Sequence, residues 1–144
     1  MNNGLPRTSP DSFLTKRILA VAVLLLCGCE SGHVIEITIT PSQAGPREQR
    51  ERLVVNSLNE VAQSLGMVVE GPHRLPGNGV SFVAKYAGQE PTSGYFIDAQ
   101  IDNCISIVLR SLSKQVDPAL AERSLVLFEQ IFDKQGVAYK VRRN

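Results

Sequence analysis

The chain predicts an α+β domain: an antiparallel sheet carrying two helices on one of its faces. Three observations predict it. Short runs of β-branched residues alternate with polar ones at period two, as at residues 34–40 and 105–110. Two longer stretches repeat apolar residues at helical spacing, each opened by a proline and closed by a glycine. Between them, residues 95–101 and 105–110 read as a hairpin.

The elements follow in order. In Val34-Ile35-Glu36-Ile37-Thr38-Ile39-Thr40, the isoleucines share one face and Glu36 and Thr38 the other. Pro41 to Gly45 break this strand. Pro46 suits a first helical position, and Glu48 and Glu51 lie near the positive end of the helix dipole. Val54, Leu58, Val61, Ala62 and Leu65 then form an apolar stripe, and Gly66 ends the helix. Met67 to Val69 form a short strand. Glu70 to Gly79 hold three glycines and two prolines and read as a loop. Val80 to Tyr86 form a strand, and Gln89 to Gly94 turn the chain.

Hairpin register follows from its pattern. A two-residue Asp102-Asn103 loop sets Asp98 opposite Ile107 and Gln100 opposite Ile105, mixing polar with apolar. A three-residue loop that includes Cys104 aligns Ile97, Ala99 and Ile101 with Leu109, Ile107 and Ile105 on one face. A one-residue slip would exchange the faces, so the odd-length loop or a bulge is expected. Asp117-Pro118 then reads as a helix cap followed by a first-turn proline. Leu120, Ser124, Leu127, Phe128 and Ile131 face one side, widened by Leu125 and Phe132. Gly136 closes this helix, and Val137, Tyr139 and Val141 continue as a strand.

Strand, proline-started helix, glycine stop and strand therefore occur twice, in 34–70 and 105–142. Proline to glycine spans 20 residues in the first copy and 18 in the second. Two such halves joined by a hairpin resemble the split βαβ, or ferredoxin-like, plan with an extra strand near residues 67–86.

The amino-terminal segment has a different character. Arg7, Lys16 and Arg17 precede nine apolar residues, Ile18 to Leu26, and Cys27-Gly28-Cys29 follow at once. A membrane-spanning helix needs about 20 apolar residues, so this run is too short to be an uncleaved anchor. A cationic start, a short apolar middle and a small-residue break are the layout of an export signal. With Leu26-Cys27-Gly28-Cys29, the segment 16–29 resembles the bacterial lipoprotein precursor. Gly28 is small enough to precede a cleavage site, whereas Leu26 before Cys27 is bulky, so Cys29 is the expected acceptor. The resemblance implies a diacylglyceryl group on the Cys29 thiol, cleavage after Gly28, and palmitate-type acylation of the new amine. Residues 1–28 would then be a removed signal peptide, 29–33 a lipidated tether and 34–144 one domain. Several acyl chains are needed for stable anchoring, each buried methylene contributing about 0.8 kcal/mol. In lipoprotein sorting, aspartate after the acceptor marks inner-membrane retention; Glu30 stands there instead, which leans towards the outer membrane facing the periplasm.

Cleavage leaves 12 basic against 13 acidic side chains, so no global field favours nucleic acid. Only Cys29 and Cys104 remain of the three cysteines. With Cys29 acylated, Cys104 lacks a partner within the chain. A free cysteine most often packs as a small buried apolar residue, with an intermolecular disulfide or reactive thiol as alternatives. The odd-length hairpin loop sets Cys104 at or near the turn, which weakens the expectation of burial only slightly.

Chemistry is hard to find. His33, His73 and Cys104 have no metal-ligand spacing, and no cofactor is expected. His73 could serve a hydrolase, but no Gly-x-Ser-x-Gly elbow accompanies it. Leu75 to Gly79 lack the lysine of a phosphate loop. The helix-free sheet face is the more informative surface. Alternation sets Glu36, Thr38, Lys85, Asp98, Gln100, Arg110, Lys140 and Arg142 there, with Val83, Phe96 and Val108 among them. Such a face is either solvated with scattered apolar residues or a docking surface for a partner. The expected docking residues are Phe96, Arg110, Lys140 and Arg142. The expected function is a lipid-anchored envelope protein whose domain binds another envelope protein without catalysis. The alternative is a small-ligand-binding or sensing module using a pocket between sheet and helices.

Overall fold

A computed structural model describes residues 33–40, 45–89, 94–112 and 116–144. The export signal, Gly28, Cys29 and Glu30 lie outside the described residues. Among the described residues, six strands and two α-helices follow one another as β1 (Val34–Ile39), α1 (Arg47–Leu65), β2 (Val68–Arg74), β3 (Val80–Lys85), β4 (Tyr95–Ile101), β5 (Ile105–Ser111), α2 (Ala119–Gln135) and β6 (Lys140–Arg143). One sheet holds every strand, in the order β2-β3-β4-β5-β1-β6. Each neighbouring pair is antiparallel. The fold is α+β, and β5-α2-β6 forms a split βαβ unit with β1 between its two strands. In β1-α1-β2 the gap is wider, because β5, β4 and β3 all intervene. The sheet exceeds the four-strand plan by two strands, the β2-β3 pair at one edge.

The core lies between the sheet and both helices. Ile35, Ile37 and Ile39 of β1 are buried there with Ile97, Ala99 and Ile101 of β4 and Ile105, Ile107 and Leu109 of β5. Val54, Leu58, Val61 and Ala62 of α1 and Leu120, Leu125, Phe128, Ile131 and Phe132 of α2 close over them. Burial of each large aliphatic side chain stabilises by about 1.5–3 kcal/mol. The Phe128 and Phe132 rings stack at 5.8 Å, and Tyr139 tilts against Phe132 at 5.6 Å.

Local chemistry sets the helix ends. Asp117 Oδ1 accepts the Ala119 N–H at 2.9 Å, one of the donors a helix start leaves unsatisfied. Gly66 and Gly136 adopt φ of 70° and 67°, the left-handed conformation that disfavours a side chain. Each lets the next residue's N–H turn back, Met67 to Ala62 O (2.8 Å) and Val137 to Phe132 O (2.9 Å). That turn holds Val137 to Tyr139 outside the sheet, so β6 begins at Lys140 rather than Val137.

Two further expectations are corrected. Glu70 to Arg74 continue strand β2 instead of forming loop; the ladder shifts between Glu70 and His73 and resumes with His73 opposite Ser81. An edge strand tolerates Gly71 and Pro72 because one of its hydrogen-bonding sides needs no partner. Cys104 is exposed, not buried. It sits in the three-residue loop that the hairpin pattern predicts, with Ile101 opposite Ile105. Asp102 holds the loop: its N–H donates to Cys104 O (3.0 Å), and its Oδ1 accepts the Cys104 N–H (3.1 Å).

Candidate functional site

The side of the sheet away from the helices is crossed by three rows of side chains, each set by strand register. The first runs Val68, Lys85, Phe96, Arg110, Val34. The second runs Glu70, Val83, Asp98, Val108, Glu36, Arg142. The third runs His73, Ser81, Gln100, Ser106, Thr38, Lys140. The rows include every residue that alternation assigns to this face, and add Val34, Val68, Glu70, His73, Ser81 and Ser106.

Of the four expected docking residues, the fold brings Phe96 and Arg110 together as direct cross-strand partners. Lys140 and Arg142 stand apart on the edge strand β6, opposite Thr38 and Glu36. Most charges on the face are satisfied locally. Lys85 Nζ meets Glu70 Oε1 at 3.0 Å, and Ser106 donates to Glu36 Oε1 at 3.0 Å. Gln100 Nε2 donates to Asp98 Oδ2 at 3.0 Å.

Asp98 is only half satisfied. Its Oδ1 is buried and has no hydrogen-bond partner among the described residues. Leaving a buried acceptor unpaired costs about 1–3 kcal/mol, so the atom is poised for a donor. Beside it lies a surface cavity of about 200 Å³ lined by Val83, Phe96, Asp98, Arg110 and Leu112. A cavity of about 150 Å³ can hold a benzene-sized group, so this one has room for a single large side chain. Arg110 is exposed, and its register neighbours Phe96 and Val34 offer it no acid. Among the described residues, the cavity therefore presents an apolar floor, one unsatisfied acceptor and one cation without an ion pair.

Leu112 and the Asp98 oxygen were missed in the sequence. Leu112 continues the outward alternation of Val108 and Arg110, a signal that was present. Asp98 shows its deficit only through its register partners, Val83 and Val108, neither of which can donate a hydrogen bond from its side chain.

The other candidates are scattered. His73 stands opposite Ser81 on the sheet edge, and no side-chain hydrogen bond links them. Among the described residues, no three metal-ligating side chains cluster. No helix among them is long and apolar enough to cross a membrane. Compared with known proteins by sequence, the chain matches no protein family and no curated protein.

Proposed function

We propose that this chain is an exported lipoprotein, held on a bilayer by acyl groups on Cys29, whose domain binds another envelope protein without catalysing a reaction. The cavity on the open sheet face carries the binding part of this reading. The Asp98 oxygen and the Arg110 guanidinium, both without a partner among the described residues, flank the apolar Val83, Phe96 and Leu112, a pattern suited to one inserted side chain with polar neighbours. The run from Arg7 to Cys29 supports the anchoring part, and Glu30 after the acceptor supports sorting to the outer membrane, facing the periplasm.

Two measurements test it. The intact mass of detergent-extracted protein should correspond to residues 29–144 plus acyl groups; an unmodified full-length mass would refute the anchor. Cross-linking in cells should trap one envelope protein, and Phe96→Glu should abolish that product while the domain stays folded. An undiminished cross-link in a folded Phe96→Glu variant would remove the sheet face as the docking surface.

A further inference from the structure

The sheet has two edges, β2 and β6, and they differ in kind. In β2 the ladder shifts between Glu70 and His73, and Pro72 has no N–H to offer a neighbour. Such breaks keep an edge from pairing further. Strand β6 carries no such break. It pairs with β1 in one unshifted register, from Lys140 opposite Thr38 to Arg143 opposite Ile35.

Register decides which backbone groups of β6 point outward. Asn144 N–H donates to Val34 O at 3.0 Å, so Asn144, Arg142 and Lys140 turn their N–H and C=O groups towards β1. Val141 and Arg143 turn theirs away from the sheet. Among the described residues, nothing bonds to these outward groups. An extended segment laid along β6 therefore meets a donor and an acceptor at each of them.

Side chains set what can occupy this edge. On the open face, Lys140 and Arg142 are exposed and make no ion pair or side-chain hydrogen bond among the described residues. Glu36 stands opposite Arg142, yet it accepts the Ser106 hydroxyl at 3.0 Å. On the helix face, Glu122 holds Arg143 at 3.2 Å, and half-buried Val141 packs against the core. A second copy of the chain, laid antiparallel on β6, would set cation against cation, which is destabilising. A strand alternating acidic and apolar residues matches both faces.

We infer that β6 is a strand-addition site: an extended acidic segment of the envelope partner joins the sheet antiparallel, its acids beside Lys140 and Arg142 and its intervening apolar residue beside Val141. The inference rests on the envelope-partner reading above and adds the chemistry of the segment that docks. It leaves the Phe96 cavity open to the same partner, because β1 and β5 separate β6 from β4 by about 14 Å.

The full lipidated protein in dodecyl maltoside micelles, mixed with synthetic peptides at millimolar concentration, tests this by amide hydrogen exchange. The acidic probe is Thr-Val-Glu-Val-Glu-Thr, and the basic one is Thr-Val-Lys-Val-Lys-Thr. The acidic probe should slow exchange of the outward Val141 and Arg143 amides several-fold, and the basic probe should leave it unchanged. N-methylation of both valines, whose N–H groups face β6, should abolish the slowing. N-methylation of both glutamates, whose N–H groups face away, should preserve it. Lys140→Gln combined with Arg142→Gln should weaken the acidic probe about fivefold. The inward amides at those two positions should stay slow in that variant and report an intact β6. Exchange that ignores the acidic probe, or slowing that survives valine N-methylation, overturns the added strand while a cross-linked envelope partner still stands. Slowing as expected, with no cross-linked product in cells, sustains the edge site and refutes the envelope partner. Exchange at Val141 that is slow in the protein alone and quickens on dilution puts a second copy on β6 and overturns the acidic strand.

Discussion

Phe96 and Arg110 face each other across β4 and β5, and the guanidinium finds no acid in its own row. Its other register neighbour is Val34, and Asp98 lies one row away with Oδ2 turned to Gln100. The sheet thus holds a cation and a half-satisfied carboxylate beside an aromatic ring without letting them neutralise each other. In the isolated domain this arrangement costs stability; a partner that donates to Asp98 and accepts from Arg110 would recover it.

Asp98→Ala should therefore separate folding from binding. Removing the buried unpaired oxygen should leave the domain as stable as before or more stable by up to about 1 kcal/mol. The cross-linked product should weaken, because the partner's donor then loses its acceptor. Urea unfolding and cross-link yield measured on the same variant check both halves. A loss of stability together with an unchanged cross-link would contradict the assignment.

Phe128→Ala should be among the most damaging single changes. The ring is fully buried and stacks on Phe132, which in turn holds Tyr139 beside the entry to β6. Truncating a buried phenylalanine typically costs about 3–5 kcal/mol. Leu112→Ala, at an exposed position, should change stability by less than about 0.5 kcal/mol. Thermal or urea unfolding of the two variants side by side measures the contrast.

Helical periodicity made Phe128 legible as a core residue, whereas Leu112 lies past the end of the strand that alternation marks. The pairing of Ile97 with Leu109 and Ile101 with Ile105 could be read because a slip by one residue would bury Asp98 and Gln100 in the core. The strand at Glu70 to Arg74 was not legible. Gly71 and Pro72 break most strands, and only the place of β2 at the sheet edge, a property of the whole sheet, makes them harmless. The late start of β6 has a similar origin, since the left-handed turn at Gly136 uses residues whose alternation reads as strand. Apart from Glu70 and His73 of β2, most of the open face could be read from alternation. Its cavity could not, because it depends on which three strands sit side by side.

Cys104 gives a case where residue type and local geometry disagreed and geometry prevailed. Asp102 holds the loop through its own N–H and Oδ1, and the thiol is left exposed. The folded, lipidated protein should therefore react with one equivalent of maleimide without denaturant. Cys104→Ser should abolish the reaction and leave the unfolding midpoint unchanged. A thiol that reacts only after unfolding would contradict the exposed loop.

Tyr95 links the core to pH. Burial pushes its hydroxyl well above the ordinary tyrosine range, with the Ser124 hydroxyl pulling partly back and Tyr86 adding to the rise. Ser124 donates its own proton to Leu120 O at 2.9 Å, and the Tyr95 hydroxyl is left without a well-formed hydrogen bond. The folded-state value is raised above the unfolded one, so the folded chain keeps a proton that the unfolded chain releases near pH 10. This contribution to stability is fully present below about pH 10 and declines as pH rises above it, by up to about 1.4 kcal/mol per pH unit for one retained proton. Tyr95→Phe removes the titration and should flatten the alkaline decline. Urea midpoints of both proteins, compared at about pH 9 and about pH 11 on either side of the tyrosine value, measure it. At the lower pH the variant should match the parent or exceed it slightly, since an unpaired buried hydroxyl is lost. An equally steep alkaline decline in Tyr95→Phe would show that another group governs it.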